Sequence, residues 1–453
     1  MGGSDSGFEG SGSVGGAQDK GPCCPHSDVG RLRPGRPGFL QGGRGLRILH
    51  LVHRAWPYHG GAERYVLEHA AAASRWGHES TILATDAWDM SWMVRGKGSH
   101  LERDEIVWRG VPIRRFAVRH PPMQSLLRAV LRRLAPGGPD RYFYPNPFVP
   151  SLQRFLRRDR GFDFVHANAM PFLLYMGWRY ARKFGCGLVS VPHANVGERF
   201  RRTSEIRYFA GEQPRILRES SLVIAQSDFE AGLFRSMGVP PERILVLGSG
   251  IDPSELSERT DRRQSMGLVP PVVLGMTAHC VQKGSTDLLR AALRLWEEGE
   301  EFTLVLAGPI LPDAEAVLAE VGCEAPPGRL VVTGYVRQEE RASIIASADL
   351  VALPSRLDCF GIILLEAWFM RKPVIGCWSG AMPDLISDGE NGFLVPFGDG
   401  PTLAHRIKIL LGNPEMGKEM GESGSRLVRG DYTWDKRTDI FYSRLACLEG
   451  GAR

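Results

Sequence analysis

Arg47-Ile-Leu-His-Leu-Val52 is a short apolar run rich in branched residues, the mark of a buried strand. The loop Trp56-Pro57-Tyr58-His59-Gly60-Gly61 follows it. From Ala62 to Trp76 the apolar residues recur at helical spacing, Gly77-His78 stops them, and Ser80-Thr-Ile-Leu-Ala84 is a second strand. Strand, glycine loop, helix and strand make a βαβ unit, which fixes the fold class as α/β with parallel strands.

Outward from this unit the alternation continues. Further strands are expected at 162–167, 188–191 and 221–225. After Gly250-Ile251-Asp252 a second series opens, with strands expected at 272–276, 302–307, 330–333, 350–353, 373–375 and 393–395. Helices are expected between them, among them 287–298 and 361–369, and a last amphipathic helix over 431–448. The reading is two doubly wound parallel-sheet domains of Rossmann type facing across a cleft, where strand C-terminal ends meet and a ligand would lie. Their expected limits are 46–249 and 250–430, with 431–453 as a C-terminal helix crossing back to the first domain. Residues 1–45 are Gly/Ser-rich with Pro and Arg, too poor in apolar groups to fold, and read as a disordered tail. Its Met1-Gly2…Ser6 fits a myristoylation pattern and Cys23-Cys24-Pro25-His26 could hold a metal, but plain tail explains both.

Composition narrows the function classes. A net charge of +5 over 453 residues does not imply nucleic acid. The charge is uneven: residues 101–160 hold thirteen Arg and no Lys against five acids. The eight Cys are scattered without paired zinc spacing and read as reduced thiols. No apolar run reaches membrane-spanning length and no signal-peptide core opens the chain, so the expected location is cytoplasmic.

Chemistry concentrates in Leu353-Pro-Ser-Arg-Leu-Asp358-Cys-Phe-Gly361-Ile-Ile-Leu-Leu-Glu366. A strand ends, a loop carries Asp358, and a helix opens at Gly361 with Glu366 in its second turn. The free amides and positive dipole at a helix N-terminus suit a diphosphate. Carboxylates on either side suit sugar hydroxyls, since each can accept two hydrogen bonds. On spacing alone the pair fits a helix cap and a solvated carboxylate equally well.

Over nearly all of residues 46–448 the chain resembles the retaining glycosyltransferases of family 4, which have the GT-B fold. The resemblance rests on Pro354-Ser355, Asp358-Cys359-Phe360-Gly361, Glu366 eight positions after Asp358, and Pro373-Val374. The first carboxylate is Asp here and Glu in the family. Gly60-Gly61-Ala62-Glu63 resembles the glycine loop that approaches the donor, though a tight turn would look the same. Val191-Pro192-His193 resembles the strand end whose His lies beside the transferred sugar. Gly308, Thr333-Gly334-Tyr335 and Val336 resemble loops near the nucleotide base. In Met276-Thr-Ala278-His279-Cys-Val-Gln-Lys283-Gly284 the phosphate-binding Lys is present, but Ala278 stands where the family has Arg. Arg binds phosphate through a planar fork that Lys does not reproduce. His279 or an Arg from elsewhere is the expected substitute.

The resemblance implies transfer of a hexose from a nucleoside diphosphate to a hydroxyl acceptor (a lipid-linked sugar, a polysaccharide or a small glycoside), with retention. It implies Asp358, Lys283, His193 and Glu366 as catalytic residues. The donor would touch Gly60, Gly61, Lys283, Gly308, Tyr335, Val336, Asp358, Cys359, Phe360, Gly361, Ile362 and Glu366. No cofactor and no metal is expected, and the chain contains no Asp-x-Asp triplet. Two other readings share the site: a protein that binds the nucleotide without transfer, and an epimerase on the same fold. The acceptor is not legible. Residues 122–135 interleave apolar residues with Arg at helical spacing, which fits an ordinary helix with a solvated basic face or one lying on an anionic membrane at the inner face.

Overall fold

A computed structural model of the chain describes residues 45–58, 60–120, 147–194 and 211–450. The tail expectation for 1–44, His59 and the 122–135 stretch lie outside the described residues. Eight strands form the first sheet: β1 Arg47–Leu51, β2 Glu79–Thr85, β3 Glu105–Trp108, β4 Val111–Phe116, β5 Phe164–Asn168, β6 Gly187–Val191, β7 Leu222–Ala225 and β8 Ile244–Val246. Their order is β3-β4-β2-β1-β5-β6-β7-β8, and only the β3–β4 pair is antiparallel. Six strands form the second sheet, all parallel: β9 Val272–Met276, β10 Thr303–Ala307, β11 Leu330–Gly334, β12 Leu350–Ala352, β13 Val374–Cys377 and β14 Phe393–Val395. Their order is β11-β10-β9-β12-β13-β14. These two parallel-sheet α/β halves form the GT-B architecture.

Topology places the ligand site. In the first sheet the direction of winding reverses at β1, which pairs β2 on one side and β5 on the other. In the second it reverses at β9, between β10 and β12. Such switch points open a crevice beyond the strand C-terminal ends. The segments leaving those ends are the glycine loop after β1, the Lys283 turn after β9 and the Pro354–Gly361 loop after β12.

Each sheet is buried on both faces, which explains its uninterrupted apolar strands: β7, β9, β10, β12, β13 and β14 are buried at every residue. The final helix, Trp434–Gly450, packs its Trp434, Phe441, Tyr442 and Leu445 into the core of the first sheet. The Tyr442 hydroxyl donates to the His69 carbonyl at 2.5 Å. A backbone pairing of Ile251 with the Tyr432–Trp434 segment ties that helix to the chain's passage between the sheets.

The expected strands and helices are present with ends displaced by at most three residues, and 272–276 and 393–395 coincide with β9 and β14. The pattern does not reveal the β3–β4 hairpin. Its strands are short and half polar, turned by Arg109 at φ 45° and Gly110 at φ 81°. Part of the local Arg excess is spent internally here. The largely buried Arg115 donates to Asp104 at 2.7 Å and to the Trp56 carbonyl at 2.6 Å, and Arg103 pairs with the fully buried Asp86.

Candidate active site

The helix Ile362–Phe369 begins where β12 has ended and the chain must turn back over the sheet. Gly361 makes that turn at φ 83°, a conformation in which an L side chain is strained by about 1–2 kcal/mol. No side chain caps this helix; the Leu364 N–H is taken by the Gly361 carbonyl at 2.9 Å, and the Ile362 and Ile363 amides keep their hydrogen-bonding capacity toward a ligand. Beside it, Lys283 ends the 3₁₀ turn Val281–Lys283. Gly284, at φ 69°, follows; a Cβ there would collide with the Pro354 carbonyl, so only glycine lets this turn rest on the end of β12. The Lys283 Nζ donates to the Leu357 carbonyl and to Asp358 Oδ2, both at 2.8 Å. Its side chain is 23% exposed, turned toward the Asp358 loop and still reachable from the cleft. Burial lowers its pKa, but the Asp358 carboxylate outweighs that and holds the ammonium above its ordinary value. The two catalytic candidates therefore neutralise each other before any ligand arrives.

Glu366, buried in the second turn, is paired with Arg341 at 2.6 Å. Burial raises its pKa, and Arg341 opposes that shift. This partner from the Gln338–Ala346 helix has no sequence signal. The expected substitute for the missing Arg fails on one count. His279 is 1% exposed, bonds Ser285 Oγ through Nδ1 at 3.0 Å, and is pushed by burial down to about 4. It is neutral near pH 7 and supplies no cation, while Ala278 is exposed. Gly308, at φ 133°, lies so close to the Thr277 carbonyl that a Cβ would collide with it, and its N–H donates to the Gly334 carbonyl at 2.8 Å. Tyr335 beyond β11 stands 64% exposed, whereas Val336 packs on the core. Phe360 is buried, tilted at 46° against the Tyr432 ring 5.7 Å away and seated over Gly248, where a Cβ would come 2.5 Å from its ring. Cys359 is partly buried, with its thiol pKa pushed up by burial and then by the nearby Glu230 charge.

The first half reaches the same place. A Cβ on Gly61 would lie 3.4 Å from Ile362 Cδ1, so the glycine loop meets the opening of the Ile362–Phe369 helix. At Gly60 a Cβ would collide with Glu63, which is itself held by Arg54 at 2.8 Å. His193 follows β6 in a left-handed conformation, φ 49°, with its ring edge-on to Tyr65 at 5.6 Å. Burial pushes its pKa down to about 4, and its Nε2 has no hydrogen-bond partner among the described residues. An ion pair crosses between the halves: Arg64, which also binds Glu68 on its own helix at 2.8 Å, reaches Glu255 at 2.7 Å, and Gln338 of the second half donates to the same Glu255 at 3.0 Å. The structure thus brings Lys283, Asp358, Cys359, Phe360, Gly361, Ile362 and the Gly60-Gly61 loop around one helix end. His193 approaches from β6, and Glu366 lies one turn deeper.

Comparison with known proteins bears on the family and the fold. Residues 59–255 match the family described as Glycosyltransferase Family 4, and residues 271–413 match Glycosyl transferases group 1. The chain belongs to this glycosyltransferase family. The family 4 chain is 30% identical over 207 residues to an alpha-D-kanosaminyltransferase of Streptomyces kanamyceticus, covering 44% of this chain and 53% of that protein. It is 24% identical to a D-inositol 3-phosphate glycosyltransferase of Streptomyces scabiei, covering 70% and 76%. It is also 24% identical to an MMP alpha-(1->4)-mannosyltransferase of Mycolicibacterium hassiacum, covering 86% and 95%. Among solved structures, HepE of Anabaena in complex with UDP and glucose superimposes with a TM-score of 0.67 at 19% identity, over 89% of this chain and 100% of that one. Sucrose-phosphate synthase of Thermosynechococcus elongatus gives 0.69 at 19%, over 90% and 100%. Among the described residues of the family 4 chain no helix is long and apolar enough to cross a membrane, and no cluster of His, Cys, Asp and Glu could hold a metal ion.

Proposed function

We propose that the chain transfers a hexose from a nucleoside diphosphate to a hydroxyl acceptor with retention at the anomeric carbon. One observation carries the reading: an uncapped helix end at Ile362 lies beside a largely buried ammonium, Lys283, and faces a glycine loop from the opposite half. As the bond between sugar and phosphate breaks, negative charge collects on the departing diphosphate. The Ile362–Phe369 amides and Lys283 are aimed at that charge, the arrangement that contributes most to catalysis of such steps. Drawing Lys283 onto phosphate frees Asp358 for the sugar's hydroxyls. Glu366, steadied by Arg341, takes the ribose. His193 and the Gly60-Gly61 loop complete the site, and closure of the halves keeps water from competing with the acceptor. The curated relatives are sugar transferases by name, which supports the reaction class.

The test is release of nucleoside diphosphate from a panel of uridine, guanosine and adenosine diphosphate sugars, with the anomeric proton couplings of the product read by NMR. Turnover with a retained configuration supports the reading; an inverted product contradicts the retention. A second reading, binding without transfer, is favoured by Ala278 and by the Lys283–Asp358 pair, since one cation is missing and the other is already neutralised. A thermal shift with nucleoside diphosphate but no turnover across donors and acceptors selects it.

A further inference from the structure

The turn that carries His193 is gripped on both sides. Ahead of it, the Pro192 carbonyl accepts the Met170 N–H at 3.2 Å. Behind it, the Ala194 N–H donates to Glu230 Oε1 at 2.5 Å. The other oxygen of Glu230 accepts the Gln226 N–H, also at 2.5 Å. Glu230 is 3% exposed, too deep to be held by water. It lies in the first turn of the helix Asp228–Ser236, whose N-cap is Ser227. A Glu three residues after a Ser cap ordinarily reaches back to the cap's own amide. Here the carboxylate reaches across to β6 instead. The same helix turn is held from the second half of the molecule, where Asp384 accepts the Phe229 N–H at 3.0 Å. Glu230 also lies near enough to Cys359, next to Asp358, for its charge to act on that thiol.

We propose that Glu230 is a positioning residue for His193. By accepting the Ala194 and Gln226 amides together, its carboxylate fixes the strand-end turn in the left-handed conformation that sets the direction of the imidazole. A bare left-handed turn at a histidine is not self-sustaining, because L residues avoid that region unless the surroundings impose it. The clamp supplies the constraint at the peptide immediately following His193. Through the Phe229–Asp384 contact the clamp is anchored to the donor half, so the histidine and the Asp358 loop share one support. The inference rests on the transfer reading given above.

Glu230→Gln tests it. The variant keeps the shape but presents an NH2 group to one of two N–H donors, so one grip is lost. Amide hydrogen exchange read by mass spectrometry should quicken in the peptide spanning Val191–Ala194 and stay unchanged in β1 and β9. The turnover number should fall on the order of 10–100-fold, the usual effect of a displaced reacting group, while binding of free nucleoside diphosphate changes less than about threefold. In a His193→Ala background the same change should lower turnover less than about twofold, since the two act as one unit. Glu230→Asp, one methylene too short to span both amides, gives the same readouts if the Gln variant is unstable. Unchanged exchange at Val191–Ala194 overturns the clamp. Equal losses with and without His193, or nucleotide affinity falling in step with turnover, overturn its positioning role. If the unaltered protein turns over no donor, the transfer reading fails by itself, and the exchange measurement still decides the clamp.

Discussion

At Lys283 and Asp358 the family 4 site holds its own charges together, and this sets what each substitution does. Lys283 has two acceptors 2.8 Å away, so removing it leaves Asp358 with only the Phe360 N–H at 3.3 Å and, on the proposed mechanism, strips the leaving phosphate of a cation. Lys283→Ala is expected to lower the rate of nucleoside diphosphate release by about 10²–10³, the usual loss for one oriented donor. Release within threefold of the unaltered protein contradicts the role. Asp358→Asn separates the two functions. It removes the opposing charge and leaves the ammonium on the Leu357 carbonyl alone, so titration calorimetry should show free nucleoside diphosphate binding at least as tightly as before. Sugar transfer should nonetheless fall on the order of tenfold, because an amide accepts fewer hydroxyl bonds. Parallel loss of both contradicts the assignment.

At the scale of the element, the Ile362–Phe369 helix owes its place to one glycine and one tryptophan. Gly361→Ala forces a side chain into φ 83° and should cost about 1–2 kcal/mol in urea unfolding, with turnover falling further because the helix end is re-aimed. Trp368 is fully buried under the Pro414–Asp431 helix, which meets it through Gly424, and its Nε1 donates to the Asn391 carbonyl at 2.7 Å. Trp368→Ala should cost about 3–5 kcal/mol, and a midpoint shift worth under 1 kcal/mol would show that the packing is looser than described. These elements also show why the sequence was readable here. A strand buried on both faces must be a continuous apolar run, and a left-handed turn favours glycine, so β12, Gly361 and the helix announce themselves. The partners of the site do not. Arg341 reaches Glu366 from a different helix, and nothing in its own neighbourhood marks it. Glu230 sits in a Ser-x-x-Glu pattern that signals a helix start, and its contact with Ala194 depends on the pairing of β6 with β7. His279 shows the reverse limit: spacing made it a candidate cation, and burial removes the charge.

Over the whole molecule, the first half carries a cluster of buried histidines that no donor contact requires. His50 and His166 face each other through Nδ1 atoms 2.9 Å apart, and His69 bonds the Tyr65 carbonyl at 2.7 Å. Burial pushes His50 and His69 down to about 3 and His193 to about 4, and lowers His166 well below its ordinary value of 6.5. The folded chain therefore keeps these rings neutral where the unfolded chain would protonate them. Their contribution to stability is full above pH 6.5 and is lost as pH falls toward 4. The buried Glu230 carboxyl, raised to about 7 by burial, works in the opposite direction between pH 7 and its unfolded value of 4.5, as do the raised carboxyls of Glu68 and Glu366, while His53 and His279, pushed down to about 4, add to the histidine side. Urea midpoints should change little from pH 7.5 to about 6.5 and decline from there to pH 5; a profile flat down to pH 5 contradicts neutral burial of the cluster. The two halves meet through Arg64–Glu255 and Asp384–Phe229, and the donor would bind between those ties. The most direct measurement is a crystal structure with a nucleoside diphosphate bound. A phosphate is expected at hydrogen-bonding distance from the Ile362 and Ile363 amides, with the Lys283 Nζ moved off Asp358 and onto it. A diphosphate bound elsewhere, with the Lys283–Asp358 pair still intact, would contradict it.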